Sequence, residues 1–189
     1  NNEFLVWLKE LNLIHDREWG YIHFPDKGAD DRFWLCPTEV PRLLYFVHTM
    51  ISELGDWESL TLYRQGGTWT PRKGKYPIGR IKRLWLAPFN LPSSGRFALR
   101  FQRSEIDAVV SLFALQQMFG MCVWDDTYAV PDHGDILLRT SHHEVVDVGF
   151  RKKGDVRRFV ARMKKEKFSL PTEIPDETFV MPPWMKKKA

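Results

Sequence analysis

Strand-like runs follow one another with no helix between them over residues 121–150, and no other feature restricts the fold of this chain so strongly. Met121 to Trp124, Thr127 to Val130, Ile136 to Thr140 and Val145 to Phe150 are short, rich in β-branched and aromatic residues, and separated by polar turns. Parallel neighbours need a long crossover, so strands this closely spaced are expected to pair antiparallel. Helical patterns flank these strands instead of alternating with them. That arrangement points to an α+β fold with mainly antiparallel sheet rather than a doubly wound parallel one.

Four principal helices are expected. Phe4, Leu5, Trp7, Leu8 and Leu11 form a helical stripe over residues 3–12. A second helix starts at a Thr38 cap, enters through Pro41 and runs to Leu54, where Gly55 stops it. Ser104 with Asp107 resembles a capping box for a third, ending at Gly120, with Ile106, Val109, Val110, Phe113, Ala114 and Met118 apolar. Asp155 caps the last, to Lys167, with Val156, Phe159, Val160 and Met163 on one face. Further strands are read at Gly20 to Phe24, Asp31 to Cys36, Leu60 to Arg64 and Phe97 to Phe101.

Between Gln65 and Gly95 the periodicity fails, because Gly66, Gly67, Pro71, Gly74, Pro77, Gly79, Pro88, Pro92 and Gly95 interrupt any long element. Arg80 to Leu86 reads as a short helix or strand. The chain therefore divides into an N-terminal α+β lobe over 1–64, a basic Gly/Pro-rich connector or binding loop over 65–95, a C-terminal α+β lobe over 96–168 and an extended tail over 169–189. Each half holds a strand, a Gly-closed helix and another strand, so two similar small lobes joined by a long loop are one form this fold can take.

At 189 residues the chain can bury roughly 70% of its unfolded surface without a disulfide or metal. Cys36 and Cys122 lie in apolar, strand-like contexts, which suits buried free thiols in a reducing compartment, so the cytoplasm is expected. No apolar run approaches the ~20 residues of a membrane span. Asn1 to Glu10 lack the charged start and cleavage site of a secretory signal; the absent initiator Met fits a trimmed chain or a longer precursor.

Charge is laid out in blocks that the net charge of +4 hides. Residues 61–105 hold 10 basic and 1 acidic group and residues 151–189 hold 12 and 5, whereas 1–60 hold 5 and 11 and 106–150 hold 1 and 7. Within the first basic block stand Arg64, Trp69, Arg72, Lys73, Lys75, Tyr76, Arg80, Lys82, Arg83 and Trp85. Glycines there admit close backbone approach to phosphate, the cations supply counter-charge, and the aromatic rings can stack on unpaired bases. The same residues also read as a solvated loop whose aromatics pack on the core and whose charges answer the acidic blocks. Arg157, Arg158, Arg162, Lys164 and Lys165 give the last helix a cationic exterior, which usually is a solvated face.

One cluster has the residue types of chemistry: Asp125, Asp126, Asp132, His133, Asp135, His142, His143, Glu144 and Asp147. Imidazole and carboxylate suit zinc, manganese or iron, which makes His133, His142, His143 and Glu144 the metal candidates. On a strand His142 and Glu144 share a face while His143 points away, and the spacing matches no standard zinc pattern. A polar turn between strands explains it as well. Neither cysteine has the flanks of a cysteine enzyme, Ser94-Gly95 is no nucleophile elbow, and Gly66-Gly67 lacks the ending of a P-loop.

The expected function is therefore that of a non-catalytic binding protein without cofactor, engaging a polyanion or nucleic acid through the basic-aromatic loop. The alternative is a protein-interaction module (an immunity, inhibitor or adaptor protein) that docks an acidic protein surface. The order of the second half, a helix, short strands, a His-His turn and an amphipathic helix, resembles in a general way small immunity-type proteins that neutralise toxins. It shares no defined motif with them, and no residue role is carried over. A metal-dependent enzyme built on the histidines is the minor alternative.

Overall fold

A computed structural model describes residues 2–16, 18–25, 30–65, 69, 77–91, 98–123, 126–141 and 144–171, with the backbone alone at 77–79 and 119–123. The described elements, in chain order, are α1 (Asn2–Glu10), β1 (Ile14–His15), β2 (Ile22–His23), β3 (Asp30–Leu35), α2 (Val40–Ser52), β4 (Ser59–Arg64), α3 (Pro77–Leu86), β5 (Leu99–Gln102), α4 (Ile106–Val123), β6 (Thr127–Pro131), β7 (Ile136–Ser141), β8 (Val145–Phe150) and α5 (Lys153–Lys165). Six strands form one antiparallel sheet in the order β3-β8-β7-β6-β4-β5, and β1 and β2 pair separately.

The α+β reading and the antiparallel pairing hold. β3 from the first half pairs with β8, and β4 pairs with both β5 and β6, so strands of 30–64 and 99–150 are interleaved. One core of buried side chains likewise runs from Trp34 and Leu43 through Leu60, Val109 and Phe113 to Phe159 and Met163.

Period-two alternation sends each strand's side chains to opposite faces. Leu60, Leu62, Ala129, Leu138, Val146 and Val148 meet α2, α4 and α5 in the main core. Tyr128, Val130 and Leu137 point the other way and are covered by Leu8, Leu13, Ile22 and Phe24 of the N-terminal segment. Fully burying a Leu, Ile, Phe or Met contributes about 1.5–3 kcal/mol each, so Phe46, Met50 and Ile51 make α2 a principal anchor of the first layer. On the covered second face Gly149 is required by space. A Cβ there would stand 3.0 Å from both Asp31 and Phe24.

Helix ends depart from the sequence reading in several places; α5 starts at Lys153 after an uncapped Lys152, with Asp155 inside its first turn and not at its cap. Glu39, not Thr38, occupies the position before α2 and makes no side-chain cap, while Pro41 lies in the first turn as expected. The capping box before α4 uses Gln102 and Glu105 around a 3-10 turn, not Ser104 and Asp107. Helix α4 also runs through Gly120 to Val123, absorbing the expected strand from Met121. A short apolar run carries no periodicity that separates a strand from a buried helix, and here the helix sits under neighbours on several sides. A fifth helix, α3, takes the helical of the two forms open to Arg80 to Leu86 and starts at Pro77.

Among the described residues no helix is long and apolar enough to cross a membrane. Cys36 is a free thiol, and burial pushes its pKa up, with Glu144 and Asp147 adding to the shift.

Candidate functional site

Helix α3 begins at Pro77, whose fixed φ and missing N–H suit a first helical position, and it gives way to a 3-10 turn over Ala87–Phe89. Asn90, in the left-handed region at φ 47°, ends the run. The helix is held by its inner side. Leu86 is buried, and Lys82, only 2% exposed, donates from Nζ to Gln116 Oε1 of α4 at 2.9 Å. At 100° per residue the outer side carries Arg83 and Arg80 on one flank, Leu84 at the apex, and Ile81 and Trp85 on the other. Leu84 is 72% exposed, Trp85 43%, Ile81 42% and Arg80 exposed; Arg83 is half-buried.

The structure splits the ten basic and aromatic candidates. Arg80, Arg83 and Trp85 share the outer surface of α3. Trp69 is fully buried in the main core, Lys82 is inside, and Arg64 is 7% exposed at the end of β4. Burial takes these three away from any surface ligand. Arg72, Lys73, Lys75 and Tyr76 lie outside the described residues. The helical spacing of 82 and 86, opposite 84, is the signal that could have separated inner from outer residues here.

Some cations elsewhere are answered by the protein's own groups, while Lys153, Arg157, Lys164 and Lys165 of α5 form no ion pair among the described residues. Glu53 reaches both Arg158 (3.1 Å) and Arg162 (3.8 Å), while Glu166 takes Arg162 and Asp155 takes Arg158. Lys152 meets Asp135 at 2.5 Å, and Arg151 donates to the carbonyls of Leu11, Asn12 and Gly134. Among the described residues no carboxylate forms an ion pair with Arg80 or Arg83. An exposed indole, an exposed aliphatic ridge and two cations without a carboxylate therefore coincide on one helix face. No family model, no curated protein and no solved structure matches this chain.

The histidine cluster contributes less. His133 Nδ1 accepts from the Asp135 N–H (3.0 Å), so its proton sits on Nε2 and is donated to the Leu54 carbonyl at 2.9 Å. Both ring nitrogens are thereby engaged in joining the β6–β7 turn to the end of α2, which leaves neither for a metal. Glu144 occupies the β7–β8 turn with φ 61°, and His142 and His143 lie outside the described residues. Among the described residues no group of three or more His, Cys, Asp and Glu could hold a metal ion.

One polar cluster escaped the sequence reading. Arg139 and Asp147 are cross-strand partners on the second sheet face, and the Arg139 guanidinium binds the Asp147 carboxylate through Nε (2.8 Å) and Nη2. Asp126 stands 3.8 Å from Arg139, and the Tyr21 ring lies 5.7 Å below its guanidinium carbon. Burial disfavours the charged Arg139, but Asp147, Tyr128 and Asp126 outweigh it and raise its pKa. Burial raises Asp31, and neighbouring Asp147 adds to the shift. Asp147, Asp126 and Asp31 thus lie around one arginine, over whose face Tyr21 of the N-terminal segment stands. A recess of about 210 Å³, lined by Leu5, Leu8, Lys9, Leu13, Ile14 and His15, lies between α1 and β1, away from α3.

Proposed function

We propose that the protein is a non-catalytic binding protein that engages a polyanion, single-stranded or structured nucleic acid, through the outer face of α3. The observation that carries this reading is the coincidence on α3 of Arg80 and Arg83, without ion pairs among the described residues, with exposed Trp85. Phosphates need cations that the protein has not already neutralised, and unpaired bases need a flat apolar platform. Arg83 and Arg80 on one flank suit the backbone of a strand whose bases lie across Leu84 toward Ile81 and Trp85. Arg72, Lys73 and Lys75 precede the helix in sequence and extend the cationic stretch.

The test is binding of a labelled single-stranded oligonucleotide across a salt series. Affinity should fall steeply with salt. The joint substitution Arg80→Ala and Arg83→Ala should flatten the logarithmic slope by about 1.4, at ~0.7 for each phosphate no longer neutralised. Binding that ignores salt, or no binding at all, sinks the proposal.

The protein-interaction reading draws on a different observation. Leu84 and Ile81 expose more aliphatic surface than phosphate contact requires, and such ridges also seat protein partners. A protein that stays bound after nuclease treatment, and is released by Leu84→Glu, would favour this second reading.

A further inference from the structure

The recess between α1 and β1 exists because of how α1 ends. Asn12 takes the left-handed region at φ 52°, the Leu13 N–H donates to the Leu8 carbonyl at 2.8 Å, and the Asn12 N–H donates to the Lys9 carbonyl at 2.9 Å. These two bonds make a Schellman motif, in which an apolar pair commonly closes the turn. Leu8 and Leu13 are that pair, and both are buried. The chain is turned back, so Ile14 and His15 stand across from the face of α1 that carries Leu5, Leu8 and Lys9 at i, i+3 and i+4.

The walls of this cavity of about 210 Å³ divide by chemistry. Leu5, Leu8, Leu13 and Ile14 supply aliphatic surface, and Ile14 remains 42% exposed. His15 adds a ring whose Nε2 lies 3.1 Å from the Tyr63 hydroxyl. Lys9 brings an ammonium group, and among the described residues no carboxylate lines the recess. Lys9 is exposed and forms no ion pair among the described residues. Lysines in a last helical turn often serve the terminal carbonyls. Here the carbonyls of Trp7, Leu8 and Lys9 already accept from the N–H groups of Leu11, Leu13 and Asn12. Helical side chains lean toward the helix N-terminus, which carries the Lys9 stem back toward Leu5 and away from the carbonyl end, where an anion would be disfavoured. A cation engaged by neither a carboxylate nor the helix end thus adjoins an apolar hollow.

We infer that this recess binds a short aliphatic monocarboxylate, its chain against Leu5, Leu8, Leu13 and Ile14 and its carboxylate on Lys9 Nζ. One lysine matches the single charge of a carboxylate, whereas a phosphate monoester brings about −1.5 to −2. Pockets for drug-sized ligands run to about 300–1,000 Å³, so this smaller hollow selects a short chain. The site lies away from the outer face of α3 and does not depend on the polyanion reading.

Backbone amide chemical shifts of the full chain, followed in titrations with butanoate, hexanoate and octanoate, test this directly. The shifts should saturate and centre on the residues that line the recess. The dissociation constant should fall about fourfold for each methylene that enters it. Hexanoate should bind roughly fivefold more tightly than hexylammonium, the preference expected of one exposed ion pair, and Lys9→Glu should invert that order. Lys9 is exposed, so the charge swap leaves the core untouched. Leu5→Trp, which puts an indole into the hollow, should remove the binding of both ligands. Shifts that rise without saturating overturn the inference, as does an affinity indifferent to chain length or a Lys9→Glu protein that still prefers hexanoate. The wild-type series decides alone if Leu5→Trp does not fold.

Discussion

Helices α3 and α5 have similarly cationic sequences, yet they differ in what stands beside the charges. On α5, Glu53 and Glu166 hold Arg158 and Arg162, Lys153, Arg157, Lys164 and Lys165 form no ion pair among the described residues, and none of the helix's own large apolar side chains is exposed. On α3, Arg80 and Arg83 meet no carboxylate among the described residues and stand next to Leu84, Ile81 and Trp85. A run of Lys and Arg is thus not itself a binding signal. What separates a solvated helix from a recognition surface is whether the rest of the molecule has answered the charge and buried the apolar flank.

Four substitutions break or sharpen that comparison. The largest effect belongs to Trp69, which the sequence groups with the α3 aromatics and the fold places in the core. Trp69→Ala should cost about 3–5 kcal/mol in urea denaturation, and loss of binding with unchanged stability would show that it acts at the surface. Next, Trp85→Ala should leave stability nearly unchanged and weaken oligonucleotide binding by about 1–3 kcal/mol, as measured by fluorescence anisotropy. An unchanged affinity would remove stacking from the account of α3.

Glu53→Gln then makes α5 somewhat more like α3 by weakening the hold on Arg158 and Arg162, which keep Asp155 and Glu166. Stability should fall by no more than about 1 kcal/mol, because the guanidinium groups are partly exposed. Polyanion affinity should hardly rise, since α5 lacks the apolar flank. A variant that binds as tightly through α5 as through α3 would mean that free charge alone is sufficient. The smallest effect concerns Asp31, a charge in neither helix. Its folded pKa is raised, so its stabilising contribution is full below the unfolded value near 3.8 and is lost as pH rises through the folded value. Asp31→Asn should therefore be slightly more stable than the wild type at pH 7. That advantage should vanish on acidification, in denaturation curves taken across the pH range.

Much of the local structure was legible because its cause is local. The stripe of Phe4, Leu5 and Leu8, the short apolar runs in Ile136 to Thr140 and Val145 to Phe150, and Pro41 near a helix start each follow from neighbours a few residues away. Boundaries failed where two local readings compete, as at Met121, where a strand-like run continues α4. The candidate surface was half legible. Arg80, Arg83 and Trp85 lie outside as anticipated, while Arg64, Trp69 and Lys82 of the same basic block are inside.

By itself, then, the sequence determined the α+β class, most element positions and the uneven distribution of charge, since periodicity and composition act over a turn or a strand. Only the tertiary structure decided that both halves share one sheet, with β3 paired to β8, and which cations are spent internally. Those outcomes depend on contacts between residues far apart in the chain, such as Glu53 with Arg158, and no local pattern encodes which distant partner a side chain will meet.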